Sequence, residues 1–254
     1  MINKTAVYVL WLREMKRFLR AKSRVVGALA MPLFFLAFLG LGFRRIAIPG
    51  VEGGVNYIHF LVPGILGMSL LFSSTFAGLS VLWDREFGFL KEIMVAPVNR
   101  VSIVLGRIVG GMTTGIIQAV LILAISMAVG FRVSNIISLL GSVVFMVLIA
   151  ATFIGMGLIF ASKMKDMQGF SIIMNFVIFP LFFLSGALYP LDNFPSWLKY
   201  LSHLDPLTYG VDGLRGILIG ISSFSPLINF SVLAFFSLIM IFLGAYFFEK
   251  SESV

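Results

Sequence analysis

Six long segments without a single Asp, Glu, Lys or Arg dominate this sequence. They cover residues 25–43, 58–82, 109–131, 136–161, 170–188 and 226–248, and each holds 19 to 26 residues. At a rise of 1.5 Å per residue, a helix of that length can cross about 30 Å of hydrocarbon. Because a helix satisfies its own backbone hydrogen bonds in lipid, the pattern predicts an all-α membrane protein with six transmembrane helices.

The composition agrees with a membrane protein. Of 254 residues, 59% are hydrophobic and 12% are charged, whereas a soluble domain carries about a quarter charged residues. The absence of Cys excludes disulfides, thiolate metal sites and cysteine nucleophiles. A net charge of +8 can indicate a nucleic-acid partner, but in a membrane protein we interpret it as topology and expect no nucleic acid.

The basic residues divide unevenly between the two sides of the predicted bundle. With the N-terminus inside, 14 of the 19 lie in cytoplasmic segments. The other five lie outside and are Arg44, Arg45, Arg132, Lys199 and Arg215. The positive-inside rule therefore predicts that both termini are cytoplasmic, including a tail at 249–254.

Residues 1–24 precede the first predicted span and have two complementary stripes at helical spacing. The basic stripe is Arg13, Lys16, Arg17, Arg20 and Arg24, and the apolar stripe is Tyr8, Trp11, Leu12, Met15, Phe18 and Leu19. This pattern predicts an amphipathic helix that lies flat on an anionic leaflet. A plain positive-inside anchor explains the same basic residues.

Residues 84–107 hold seven charges between two uncharged segments. Phe87, Leu90 and Met94 share one face of a short predicted helix that Pro97 should end. Such a helix could be the binding site for a soluble partner protein. An ordinary interfacial helix on lipid headgroups has the same pattern.

Residues 189–225 form the largest predicted outer feature. Pro195 can start a short helix that ends before Pro206, and a second amphipathic helix can follow over 207–219. Neither is long enough for a span, so we expect a half-buried re-entrant hairpin in the outer leaflet. It could close the outer mouth of a pathway or simply cap the bundle.

Several chemistries are missing from the sequence. The spans contain no charged residue, which argues against a carrier coupled to protons or ions. Neither a His-Glu-x-x-His nor a Gly-x-Ser-x-Gly motif occurs, so we expect no catalytic residues and no bound metal. There is also no P-loop. Uphill transport by this chain would therefore need energy from a second protein.

Four stretches together resemble the permease subunits of type-2 ABC exporters. They are FLVPGI at 60–65, WDREFGFLKE at 83–92, LSGALYP at 184–190 and DPLTYG at 205–210. The lead-in REMKRF at 13–18 is most similar to the daunorubicin-resistance branch of drug exporters. The polysaccharide-export and nodulation-export branches are related to it.

The resemblance implies a six-span transmembrane domain over 25–248 that exports an amphiphilic small molecule, drug or lipid-like compound from a prokaryotic cell across its inner membrane. A polysaccharide or glycolipid exporter is the alternative, and a stand-alone channel or scaffold is a more distant one. The expected partners are two P-loop ABC ATPase subunits, which would bind ATP and Mg, and a second permease copy or a paralogue. This chain itself is expected to bind no cofactor.

The resemblance also implies three functional elements. The first is a coupling helix that contacts the ATPase, formed by Glu86, Phe87, Gly88, Phe89, Leu90, Lys91, Glu92 and Met94. The second is a gate helix at the inner interface, with Trp11, Arg13, Glu14, Lys16, Arg17 and Arg20. The third is the outer hairpin, with Trp197, Asp205, Pro206, Tyr209, Asp212 and Arg215.

Overall fold

The computed structural model of the chain describes residues 3–43, 56–87, 98–164 and 168–251, and the regular elements of these residues are helices. In chain order they are α1 (Lys4–Arg20), α2 (Lys22–Phe35) with a π-helical continuation (Leu36–Leu41), α3 (Tyr57–Glu86), α4 (Arg100–Ala128), α5 (Ile136–Lys163), α6 (Gln168–Ile173), a π-helical segment (Met174–Ile178), α7 (Phe179–Leu184), a 3-10 turn (Leu191–Asn193), α8 (Ser196–Leu204), α9 (Pro206–Ile219) and α10 (Pro226–Ser251). The predicted all-α class is confirmed.

Four of these helices, α3, α4, α5 and α10, are long and apolar enough to cross a membrane. Each overlaps one predicted span. Helix α1 and the segment Val25–Leu41 are bent by 69° against each other and together give a fifth candidate. The apolar helix Met174–Leu184, within the predicted span 170–188, is shorter than a full crossing. The count of six spans therefore stays a prediction.

Helix α4 begins nine residues before the span predicted from the charge-free segment. The side chain of Asn99 caps its N-terminus by accepting a hydrogen bond from the backbone N–H of Val101. The first two turns of α4 consequently include Arg107. A residue expected in a loop between spans is instead held in a helix.

Helix α5 lies at the centre of the bundle and touches α3 and α10 through glycines. A Cβ atom on Gly78 of α3 would lie 2.8 Å from the Cα of Gly157, and a Cβ on Gly244 of α10 would lie 2.8 Å from the carbonyl oxygen of Gly155. Small residues let helix backbones approach closely, which supplies packing where lipid offers no hydrophobic driving force.

The two helices of the predicted outer hairpin differ in their surroundings. Every residue of α9 from Pro206 to Arg215 is buried, and α9 packs against α3, α5 and α10. Helix α8 lies on the surface, with the apolar face of Trp197, Leu201 and Leu204 exposed. One helix is thus covered by protein and the other presents its apolar face outward, and the expected position of the hairpin in the outer leaflet stays a prediction.

Candidate functional site: an inner ionic cluster and a buried outer polar group

Helix α1 is seated against α4. A Cβ atom on Gly106 would lie 2.7 Å from the Cβ of Leu10, and one on Gly110 would lie 2.9 Å from the Cβ of Glu14. The indole N–H of Trp11 donates to the hydroxyl of Thr113 over 3.1 Å. The two glycines of α4 thus allow α1 to pack closely against it. The hydrogen bond between Trp11 and Thr113 fixes the position of α1 along α4.

The apolar stripe of α1 is divided between the protein and the surroundings. Met15 and Phe18 are buried, whereas Tyr8 and Leu19 from the same stripe are exposed. The sequence predicted a helix lying flat on lipid with its whole apolar face. The structure shows that part of this face, Met15 and Phe18, is buried within the protein instead.

Asp84, near the C-terminal end of α3, is surrounded by three arginines. Its carboxylate lies 2.7 Å from Arg107 of α4, 3.5 Å from Arg13 and 3.8 Å from Arg17 of α1. Arg17 also lies 3.6 Å from Glu14. We call these five residues the inner ionic cluster, after the side of the membrane on which the distribution of basic residues predicts them.

The cluster joins three helices through one carboxylate. The side chains of Asp84 and Arg107 are 10% and 5% exposed, so this pair is largely removed from water. Deleting one member of a buried ion pair costs about 3–5 kcal/mol because the other charge is left uncompensated. Asp84 therefore holds α1 and α4 to the end of α3.

The residues of the predicted coupling helix follow this cluster in the chain. Glu86 is the last residue of α3, and Phe87 comes directly after it with 83% of its surface exposed. Gly88, Phe89, Leu90, Lys91, Glu92 and Met94 lie outside the residues that the structure describes. The inner ionic cluster and the predicted coupling loop are therefore neighbours in the sequence, since Asp84 precedes Phe87 by three residues.

The predicted gate-helix residues separate into two groups. Arg13, Glu14 and Arg17 belong to the inner ionic cluster. Lys16 and Arg20 are exposed and help to line a shallow basic depression of about 400 Å³ on α1. The basic stripe of α1 therefore has two parts. Arg13 and Arg17 contact Asp84, whereas Lys16 and Arg20 are exposed.

Sequence reasoning missed the contact between Asp84 and Arg107 and counted both as loop charges. A signal for it was available. Each residue stands at the inner end of a long apolar helix, and the two helices are consecutive. When consecutive helices pack antiparallel, their facing ends meet, so opposite charges there can pair.

On the other side of the bundle, Asp212 of α9 organises a buried polar group. Its carboxylate accepts hydrogen bonds from the backbone N–H groups of Ser223 and Phe224, at 2.8 and 3.0 Å, and from the amide of Asn229 at 2.8 Å. These bonds tie the loop after α9 and the start of α10 to α9. A carboxylate with three donors is well satisfied despite its burial.

Arg215 lies one turn further along α9 and is also buried. It donates to the carbonyl of Gly186 over 3.0 Å, and its guanidinium lies 3.7 Å from the ring centroid of Phe60. Gly186 has a φ of 70°, a conformation that glycine adopts without strain. Burial lowers the pKa of Arg215 to about 10, so the side chain stays charged at neutral pH.

The remaining predicted hairpin residues lie around the junction of α8 and α9. Asp205 caps α9 by accepting from the N–H of Leu207 over 2.9 Å, and Pro206 occupies the first turn. Burial raises the pKa of Asp205 to about 8. The Tyr209 hydroxyl donates to the carbonyl of His203, whereas Trp197 is exposed and away from this group.

Taken together, long apolar helices joined by glycine contacts, with an ionic cluster at the facing ends of two of them, define a multi-pass helical membrane protein. Comparison with known families makes the class specific. The ABC-2 type transporter family matches residues 5–219. The chain belongs to this family and is an ABC transporter permease.

Related proteins of known name agree with the family. The inner membrane transport permease YadH of Escherichia coli K12 is 31% identical over 235 residues, which cover 91% of this chain and 90% of YadH. The putative transport permease ycf38 of Cyanophora paradoxa is 31% identical over 78% of this chain and 70% of its own length. The probable doxorubicin resistance permease DrrC of Mycobacterium tuberculosis is 25% identical over 87% and 79%.

Proposed function

We propose that this chain is the membrane subunit of an ATP-driven exporter that moves an amphiphilic small molecule, drug or lipid-like compound out of the cell. ABC-2 permeases work with ABC ATPase partners, and this chain has no P-loop of its own. Two ATPase copies and a second permease copy would complete the transporter. In this arrangement both termini are cytoplasmic, the chain crosses the membrane six times and the outer hairpin stands at the exit.

The observation that supports the proposal best is the inner ionic cluster. It joins α1, α3 and α4 at the point where α3 runs into the predicted coupling loop, and Phe87 is exposed there. A force applied to the loop would reach α3 first. Because Asp84 is paired with arginines of both other helices, α1 and α4 would move with it.

The proposed mechanism follows from this connection. ATP binding closes the ATPase dimer, and the dimer pushes on the loop at Glu86 and Phe87. Helix α3, with α1 and α4 bound to it through Asp84, then shifts as a unit against the rest of the bundle. The outer hairpin, tied to α3 by Arg215 and Phe60, would respond at the opposite side and release the substrate.

Doxorubicin is a suitable export probe, because it is fluorescent and because the relative DrrC is named for resistance to it. Accumulation of this export probe in inside-out vesicles reports outward transport directly. The vesicles must contain the chain together with its ABC ATPase.

The orientation that the proposal requires can be tested with cysteine labelling, since the chain has no native Cys. The variants Lys91→Cys and Lys199→Cys place one thiol in the coupling loop and one on α8. With an impermeant maleimide on intact cells, we expect labelling at position 199 alone. Permeabilised cells serve as the control and should label at both positions. Labelling of Lys91→Cys in intact cells would place the loop outside, where no ATPase can reach it.

A further inference from the structure

A cavity of about 520 Å³ lies between α1, α2, α3 and α4, separate from the inner ionic cluster except at one end. Pockets of 300–1,000 Å³ are typical for small-molecule ligands. Gly27 and Met31 of α2 line the cavity and are exposed. Because α2 belongs to the first predicted span, a ligand could enter there from the lipid.

The cavity is elongated along α3. Its lining includes Ser69, Phe72, Phe76 and Trp83 of that helix, which recur at helical spacing over 14 residues. At 1.5 Å per residue this corresponds to roughly 21 Å. A long, narrow ligand fits such a shape better than a compact one.

Most of the lining is apolar, but two polar side chains lie deep within it. Ser69 and Gln118 are 4% and 6% exposed and face the cavity from α3 and α4. The hydroxyl oxygen of Ser69 and the carboxamide oxygen of Gln118 have no hydrogen-bond partner among the described residues. Leaving a buried acceptor unsatisfied costs about 1–3 kcal/mol.

The inner end of the cavity has a different character. Glu14 and Arg17 line it there, and they lie 3.6 Å apart as an ion pair. Their charges therefore offset each other. The selectivity of the cavity for one ligand over another should therefore depend on hydrogen bonds to Ser69 and Gln118 rather than on the charge of the ligand.

From these features we infer that the cavity binds an elongated amphiphile with a hydrogen-bond donor, such as a hydroxyl, within its apolar body. The apolar body would pack along Phe72 and Phe76, and the donor would meet Gln118 and Ser69. A saturated hydrocarbon chain would fill the same space but leave both groups unsatisfied. A site built to bond a hydroxyl discriminates strongly against a ligand that lacks it.

The test uses two competitors that differ by one hydroxyl, methyl 12-hydroxystearate and methyl stearate. The purified chain in nanodiscs is photolabelled with a fatty alcohol that carries a diazirine, and labelled peptides are located by mass spectrometry. We expect labelling at residues 68–76 and 114–118. The hydroxylated ester should suppress it at about tenfold lower concentration, which corresponds to one hydrogen bond of about 1.4 kcal/mol.

Two variants separate the hydrogen bond from general packing. Gln118→Leu should remove the preference for the hydroxylated ester, and Ser69→Ala should reduce it. Ser126→Ala is the matched control, because Ser126 is buried in the same helix but bonds the carbonyl of Ile122 and lies outside the cavity. Equal competition by both esters in the wild type would overturn the inference, as would a preference that survives in Gln118→Leu.

The ligand could be a resident membrane lipid or the exported compound, and only the latter role rests on the proposed function. Adding the ABC ATPase and ATP distinguishes them. Labelling that disappears during hydrolysis identifies an exported ligand, and labelling that persists identifies a resident lipid. Both results uphold the site, and the competition experiment needs no ATPase, so its failure is distinguishable from a failure of the proposed function.

Discussion

Arg215 shows how a single residue keeps a full charge inside this bundle. The planar guanidinium rests on the ring of Phe60 and donates to the carbonyl of Gly186. Arginine is suited to this position because it can stack on an aromatic face and donate in its plane at the same time. Lysine could supply the charge there but neither the stacking nor the fixed geometry.

Asp205 is a second buried ionisable group, and its titration gives a prediction. It lies between α8 and α9, outside the candidate spans, and burial raises its pKa from 3.8 to about 8. The folded state therefore keeps a proton that the unfolded state loses near pH 4. The free energy of unfolding should therefore decrease as the pH rises from about 4 to 8. Above pH 8, Asp205 should cause no further decrease.

The variant Asp205→Asn tests this origin. Asparagine can still accept the hydrogen bond from the N–H of Leu207 and cap α9, but it does not titrate. We expect the melting temperature of the purified variant to depend less on pH between 5 and 9 than that of the wild type. Parallel pH profiles for the two proteins would show that Asp205 is ionised in the folded state.

At the scale of elements, the seat of α1 on α4 depends on Gly106. A Cβ atom there would come within 2.7 Å of the Cβ of Leu10. Since that atom is fixed to the backbone of α1, the whole helix would have to shift. Overpacking of this kind costs about 1–3 kcal/mol, whereas replacing glycine by alanine in a helix gains about 1 kcal/mol.

The variant Gly106→Ala should therefore be less stable than the wild type, by up to about 2 kcal/mol, with a melting temperature lower by up to about 4–8 °C. Gly42→Ala is the matched control, because a Cβ at Gly42 has no atom within 4 Å among the described residues. It should melt at the same temperature or slightly higher. If Gly106→Ala melts like Gly42→Ala, α1 is not seated on α4 as closely as the structure shows.

The positions of the long helices could be predicted from the sequence, but the side-chain contacts between them could not. Charge-free segments located α3, α4, α5 and α10 because lipid excludes charge. The rule does not give the ends of the helices, since α4 begins at Arg100 and includes Arg107, which pairs with Asp84. Pairing is a property of two elements, so a reading of one segment at a time did not detect it.

The outer hairpin shows a further limit of the same kind. Pro195 and Pro206 allowed both short helices to be predicted from local signals. The burial of α9 within the protein could not be predicted, because the polar residues Asp212 and Arg215 suggested contact with water. In the structure they are satisfied by the loop after α9, by Asn229 and by Gly186.

For the whole molecule, the proposed function requires that motion pass between two faces, and contacts at the two ends of α3 offer a route. The inner ionic cluster joins three helices beside the predicted coupling loop, and Arg215 joins α9 to Phe60 of α3. Helix α3 is common to both and extends from Tyr57 to Glu86. In the proposed transporter, α3 therefore transmits the energy, and an ATPase at the cytoplasmic face supplies it.

The most direct test measures ATP hydrolysis and accumulation of the export probe together, in inside-out vesicles that contain the chain and its ABC ATPase. The wild type should accumulate the probe when ATP is hydrolysed. The variants Glu86→Ala and Phe89→Asp should insert normally and still hydrolyse ATP, yet accumulate little probe. Uphill accumulation by the chain without an ATPase, or normal accumulation by both variants, would contradict the account.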